Sequence, residues 1–196
     1  MSEFIREAIV STLHPDGRVH LTPLGYRMRG ELVLLAPYHP SQTLQNLRGH
    51  GHAVLNFTDD VRVIAGCLTG RRDWPTVASA RVPVPRLAEL LAHWELEAVE
   101  FRDDATRPEF ACRVLARQMH APFTGYNRAQ AAVLEASVLV SRLDWLEPPA
   151  VIEELLRLRV AVDKTAGARE LEAWSWLIDA IGAHPRHARE AGRLSR

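Results

Sequence analysis

YHPSQTLQNLRGHGHAVLNFT, residues 38–58, reads as a loop, a short helix opening near Ser41, a Gly49-His50-Gly51 break and a strand, Ala53–Phe57. Its helix start is rich in hydroxyl and amide side chains. The first N–H groups of a helix have no intrahelical partner, so such a start is a ready anion site. Ser41 can equally be a plain N-cap, accepting one of those N–H groups itself. Asn56 lies between Leu55 and Phe57, so a buried position there obliges its amide to find partners.

Upstream, the β-branched, apolar run 4–13 predicts a strand, and Asp16-Gly17 a tight turn, because glycine accepts positive φ. Arg18–Thr22 returns, Pro23 is expected to interrupt the ladder, placing the backbone there at an edge or a bend, and Gly25–Met28 with Glu31–Ala36 forms a second hairpin about Arg29-Gly30. Residues 1–57 thus read as five strands with one helix inserted. Downstream, Asp59-Asp60 predicts the cap of a helix over Val61–Leu68. The Pro- and Arg-rich segment 70–85 reads as a surface loop, and Arg86–His93 as a short helix on Leu87, Leu90 and Leu91. Trp94–Phe101 and Phe110–Met119 are expected to be strands, and an antiparallel set of this size closes into a barrel to remove its edges. Beyond Pro122 the period becomes helical. One helix opens at Asn127, with Gln130 completing a capping box, and runs to about Leu146. A second spans Pro148–Lys164 and a third Arg169–Ile181. The last residues, 184–196, carry four arginines and one acid and are expected to fray.

The balance of 24 basic against 24 acidic residues excludes nucleic-acid binding through bulk charge. No run of 18 apolar residues occurs, and the acidic first residues do not resemble a signal peptide, so a cytoplasmic protein with no membrane contact is expected. All but one of the basic residues are arginine, Lys164 being the exception. Cys67 and Cys112 lack zinc or redox spacing and read as buried thiols. His50 with His52, and His184 with His187, lack the third ligand that zinc needs, so no metal is expected. No nucleophile elbow, P-loop or dinucleotide fingerprint is present, and no catalytic residue can be named. What remains suits a planar, hydrogen-bonding cofactor with a phosphate, unless those polar groups merely satisfy loop backbone.

The order of a strand, Asp-Gly, a strand carrying Leu21-Thr22-Pro23-Leu24-Gly25, a hairpin, Ser41-Gln42-Thr43, Asn46-Leu47, Gly51 and Val54-Leu55-Asn56 resembles the flavin reductase-like FMN-binding split barrels, relatives of pyridoxamine phosphate oxidase. More closely, the chain resembles the flavoprotein family designated domain of unknown function 447. That likeness extends over Gly125-Tyr126-Asn127-Arg128-Ala129, Leu134-Glu135-Ala136, Ser141-Arg142-Leu143 and Asp163-Lys164-Thr165-Ala166-Gly167 with Glu170. It implies an α+β fold, mainly β in its first half. Residues 1–122 would be an FMN-binding split barrel and 123–183 a C-terminal helical bundle or cap, with 184–196, beyond the likeness, expected as a flexible tail from its composition. It implies a homodimer with FMN at the subunit interface. Thr22, Pro23, Leu24 and Gly25 would lie along the isoalloxazine ring, Ser41 and Thr43 on the phosphate, and Asn46 and Asn56 nearby. Gln42 stands where relatives carry a base, leaving His39, or an arginine from elsewhere such as Arg27, to replace it. Asn127 and Arg128 would reach cofactor or substrate. The implied activity is oxidoreduction of a small molecule, a pterin or flavin being one option. A non-catalytic flavin sensor or carrier with a protein partner, or a barrel that has lost FMN, stays open beside it.

Overall fold

The first hairpin closes where Asp16-Gly17 predicts it. Gly17 has φ 84°, its N–H donates to the His14 carbonyl at 2.9 Å, and the Arg18 N–H donates to Asp16 Oδ1 at 3.1 Å. The computed structural model describes residues 4–191, which fall into two units. One holds the residues up to Thr58 together with Asp73–Phe123; the other holds Asp59–Arg72 and the residues from Thr124 onward.

The first unit contains β1 (Arg6–Leu13), β2 (Val19–Arg29), β3 (Leu32–Leu35), α1 (Gln42–His50), β4 (His52–Phe57), β5 (Thr76–Val77), β6 (Arg86–Leu87), β7 (Ala92–Arg102) and β8 (Glu109–Met119). Six of these strands close an antiparallel barrel in the order β1-β2-β3-β8-β7-β4, while β5 and β6 pair separately. Alternation along each strand sorts the side chains. Ala8, Val10, Leu24, Tyr26, Leu55 and Leu96 point into the barrel, where Leu44 and Leu47 of α1 join them. Val54 and Leu13 point outward and are covered by Val82 and Val84.

Three expectations for this unit are corrected. Pro23 does lie at an edge position but does not divide the strand: β2 runs through it with Pro23 opposite Ile9, so the run to residue 57 has four strands. β3 pairs only with Tyr26–Arg29, so around Pro23 β2 has β1 as its sole strand neighbour and tolerates a residue lacking an N–H. Arg86–His93 is not helical, because its backbone is engaged elsewhere: the Leu87 N–H donates to Asn56 Oδ1 and the Leu91 N–H to the Phe57 carbonyl, both at 2.8 Å. Nor is 70–85 simply a surface loop, since Val82 and Val84 are buried against the outside of the barrel.

The second unit comprises α2 (Val61–Leu68), α3 (Arg128–Val140), α4 (Pro148–Thr165), α5 (Ala168–Ala183) and α6 (Ala188–Ala191). α2 groups with these helices rather than with the barrel residues around it in sequence, sharing a core through Val61 and Ala65 with Val133, Leu155 and Leu177. Asp60 caps α2 and holds the Arg62 guanidinium at 2.6 Å. α3 stops at Val140, short of Leu146, with Ser141 as its cap. Residues 184–191 are not a frayed tail: His187 is fully buried with Nε2 2.8 Å from the Leu143 carbonyl, and α6 follows it. The remainder of the expected tail, 192–196, lies outside the described residues. Among the described residues no helix is long and apolar enough to cross a membrane.

Candidate functional site

α1 begins as its sequence predicts. Ser41 is extended (φ −151°, ψ 156°) and its Oγ accepts the Leu44 N–H at 3.2 Å. Its carbonyl accepts the Gln45 N–H. The N–H groups of Gln42 and Thr43 meet no acceptor among the described residues, and the Thr43 hydroxyl, on a side chain only 3% exposed, has no partner there either. Open donors at a helix start are what an anion requires. Ser41 combines with this role, since a hydroxyl that accepts from Leu44 still has its own O–H to donate.

Gln42 brings no cation to this helix start. Gln42 turns its amide along the helix to Asn46 Oδ1 at 2.7 Å. Arg27 does not replace it, being bound to the buried Glu109 at 2.6 Å. His39 is exposed, with its backbone N–H on the Thr106 carbonyl.

The stretch Thr22–Gly25 presents backbone. With only β1 beside it, alternate residues turn their N–H and C=O away from the ladder. Thr22 and Leu24 face inward and Pro23 and Gly25 outward. Gly25 also allows a close approach, because a Cβ there would stand 2.8 Å from Ile5 Cγ2.

Asn46 and Asn56 are both buried but do not come together. Asn46 Nδ2 donates to Thr12 Oγ1 at 3.0 Å, on the inner face of β1. Asn56 Nδ2 donates to Ser11 Oγ at 2.8 Å and to the Ile9 carbonyl at 3.0 Å, on the outer face. Its Oδ1 takes the Leu87 N–H, so the Asn56 amide is committed at both ends to the barrel and its covering segment.

Asn127 is likewise committed. Its Oδ1 accepts the Ala129 and Gln130 N–H groups and its Nδ2 donates to the Thr165 carbonyl at 3.0 Å, tying the start of α3 to the end of α4. The expected capping box is half made, because Gln130 donates to Glu170 instead of reaching back. Arg128 is exposed.

Sequence reasoning missed the residues that complete these networks. Ser11 and Thr12 are hydroxyls inside an apolar strand, and His93 and Glu95 stand two apart on β7, both 1% exposed. A polar residue repeating at strand period is the signal that marks them. Glu95 accepts the N–H groups of Ala80 (2.9 Å), Arg81 (2.6 Å) and Val82 (3.0 Å). Burial would raise its pKa, but the Ala80 and Arg81 N–H groups, the His93 ring and the Val82 N–H together hold it below the ordinary glutamate value. The thiols contribute no nucleophile, since burial pushes Cys67 to about 11 and Cys112 to about 12. Among the described residues, no group of three or more His, Cys, Asp or Glu side chains is arranged to hold a metal ion.

The barrel recurs in solved structures. An FMN-bound DUF447 protein of Methanosarcina mazei superposes with a TM-score of 0.78 at 21% identity, over 91% of this chain and 96% of that one. An FMN-binding protein of Thermus thermophilus gives 0.51 at 18% identity, over 59% and 71%. The styrene monooxygenase flavin reductase of Pseudomonas putida gives 0.50 at 15%, over 59% and 79%. No curated protein matches the chain in sequence. Residues 6–121 match the N-terminal domain of the protein family of unknown function DUF447, and residues 127–179 match its second domain. Both family domains thus follow one another along this sequence, and the chain belongs to the DUF447 family.

Proposed function

We propose that the chain is an FMN-binding oxidoreductase acting on a small molecule, of pterin or flavin type, as a cytoplasmic homodimer. The observation that carries the FMN reading is the start of α1. The open N–H groups of Gln42 and Thr43 and the Thr43 hydroxyl, which has no partner among the described residues, fit a phosphate, in a barrel whose family includes an FMN-bound member. In this reading Ser41 and Thr43 donate to the phosphate, His39 is the nearest base, and the open backbone of Thr22–Gly25 meets the polar edge of the ring. Asn46 orients Gln42, and Asn56 fixes the strand behind them. Bound flavin supplies the electron or hydride transfer, and the protein supplies orientation and electrostatics. Large exposed apolar side chains on the barrel unit, among them Met119 (77%) and Phe123 (56%), favour a partner copy. The two buried, unpaired cysteines accord with a reducing compartment.

The test is the absorption spectrum of the purified protein with mass identification of any released cofactor. Flavin bands and FMN are expected; a colourless protein that ignores added FMN overturns the reading. Anaerobic mixing of the holoprotein with NADH or NADPH should bleach it, whereas a flavin that stays oxidised with both favours the carrier reading. Sedimentation velocity should give a dimer.

A further inference from the structure

Three side chains on the outside of the barrel form a chain that the FMN reading does not use. His93 Nε2 lies 3.2 Å from Glu95 Oε1, and His93 Nδ1 lies 2.8 Å from His120 Nε2. The two ring planes lie 19° apart with centroids at 5.0 Å, the spacing of an end-to-end hydrogen-bonded pair. Glu95 and His93 are 1% exposed, whereas His120, just beyond β8, is exposed. Its backbone is held, the N–H donating to the Leu91 carbonyl at 2.7 Å.

The order of donors follows from the inner end. Glu95 already accepts three backbone N–H groups, so it is an acceptor and His93 Nε2 must carry the proton between them. In the neutral ring His93 Nδ1 then has a lone pair, and His120 must donate to it from Nε2. That leaves His120 Nδ1 as the unprotonated atom at the solvent-facing end.

We propose that His120 is a proton-transfer residue, the exposed terminus of a Glu95–His93–His120 relay, acting on a ligand with a weakly acidic O–H or N–H group. The ligand gives its proton to His120 Nδ1. The Nε2 proton passes to His93 Nδ1, and the resulting imidazolium rests against the Glu95 carboxylate. Donation runs the same steps in reverse, with one proton moved and no electrons. Glu95 and His93 are positioning residues. Arg86, whose guanidinium is held by the Leu87 and Ala88 carbonyls, is the cation whose charge acts on His120, and it suits the anion that deprotonation leaves. Burial, the Arg86 charge and His93 keep His120 below the ordinary histidine pKa, so at neutral pH it is the base.

Imidazole 15N NMR on the full chain without added flavin tests this. Both rings should show Nε2–H and bare Nδ1 at high pH. As pH falls, the His93 signals should move with the same midpoint as those of His120, and in His120→Gln that His93 response should vanish. A His93 signal that stays flat while His120 titrates, or one unchanged by His120→Gln, overturns the relay. Glu95→Gln gives a sharper reading. Its carbonyl stays with the Arg81 and Val82 N–H groups and its amide then donates to His93 Nε2, so both rings should switch to the Nδ1–H tautomer. Unaltered tautomers in the folded variant also overturn it. If that variant does not fold, His120→Gln, at an exposed position, decides. The measurement needs no cofactor, so this inference and the FMN reading fail separately.

Discussion

Asn46 and Asn56 are 2% and 0% exposed, and each donates to a hydroxyl of β1, yet they serve opposite sides of the sheet. Thr12 and Ser11 are consecutive, so their side chains leave the strand in opposite directions. On the outer face Asn56 and Glu95 are committed to protein partners and clamp the segment 80–87 through four of its N–H groups. On the α1 side the network ends in open donors at Gln42 and Thr43. Burial of a polar residue therefore does not by itself mark a ligand site; open N–H donors at a helix start are the feature an anion can use.

Glu95→Gln should give the largest loss, about 3 kcal/mol in urea unfolding, because a carboxylate oxygen that accepts the Ala80 N–H becomes a donor facing it and the charge on the other N–H bonds is lost. A loss below ~1 kcal/mol would mean that the outer network is not a clamp. The pH dependence follows from the depressed pKa. The folded value lies below the unfolded one, near the ordinary 4.5, so the Glu95 contribution is complete above 4.5 and fades as pH falls through the folded value. Wild type and Glu95→Gln should thus converge only at the acid end. Asn56→Ala should come next, at about 2 kcal/mol, by stranding the Leu87 N–H, with FMN affinity unchanged in the folded protein. Loss of FMN without loss of stability would return Asn56 to the cofactor.

The sequence showed the barrel because alternation and Asp16-Gly17 are local, strand-length signals. It misplaced the segment 82–91, whose leucines and valines suit a helix as well as a cover, because the deciding partners, Asn56 and Glu95, sit on other strands. Of the motifs in the second half that carried the resemblance, all but Leu134-Glu135-Ala136, inside α3, lie at helix ends. Thr165 receives the Ala129 N–H and Glu170 accepts that of Gly167. Ser41 was legible as a cap and as an anion donor; the commitment of Arg27 to Glu109 was not, since that contact is long-range.

Thr43→Val separates the two faces. Its hydroxyl has no partner among the described residues, so the variant should keep its stability to within about 0.5 kcal/mol. FMN affinity, measured by fluorescence titration, should fall about tenfold, or ~1.4 kcal/mol. The reverse pattern would make Thr43 another structural hydroxyl like Ser11.

Ser41 carries the smallest change and the most direct test, because it holds both roles at once. Ser41→Ala removes the acceptor for the Leu44 N–H and should cost about 1 kcal/mol, with a few-fold weaker FMN binding from the lost O–H. Ser41→Asp divides those effects. A carboxylate caps a helix as well as serine and is favoured by the helix dipole, so stability should match wild type or exceed it. The same carboxylate faces the position assigned to the phosphate, where like charges repel. A stable Ser41→Asp protein that no longer takes up FMN places the anion at the start of α1. One that binds FMN as wild type does leaves Ser41 as a cap alone and puts the phosphate elsewhere on the barrel.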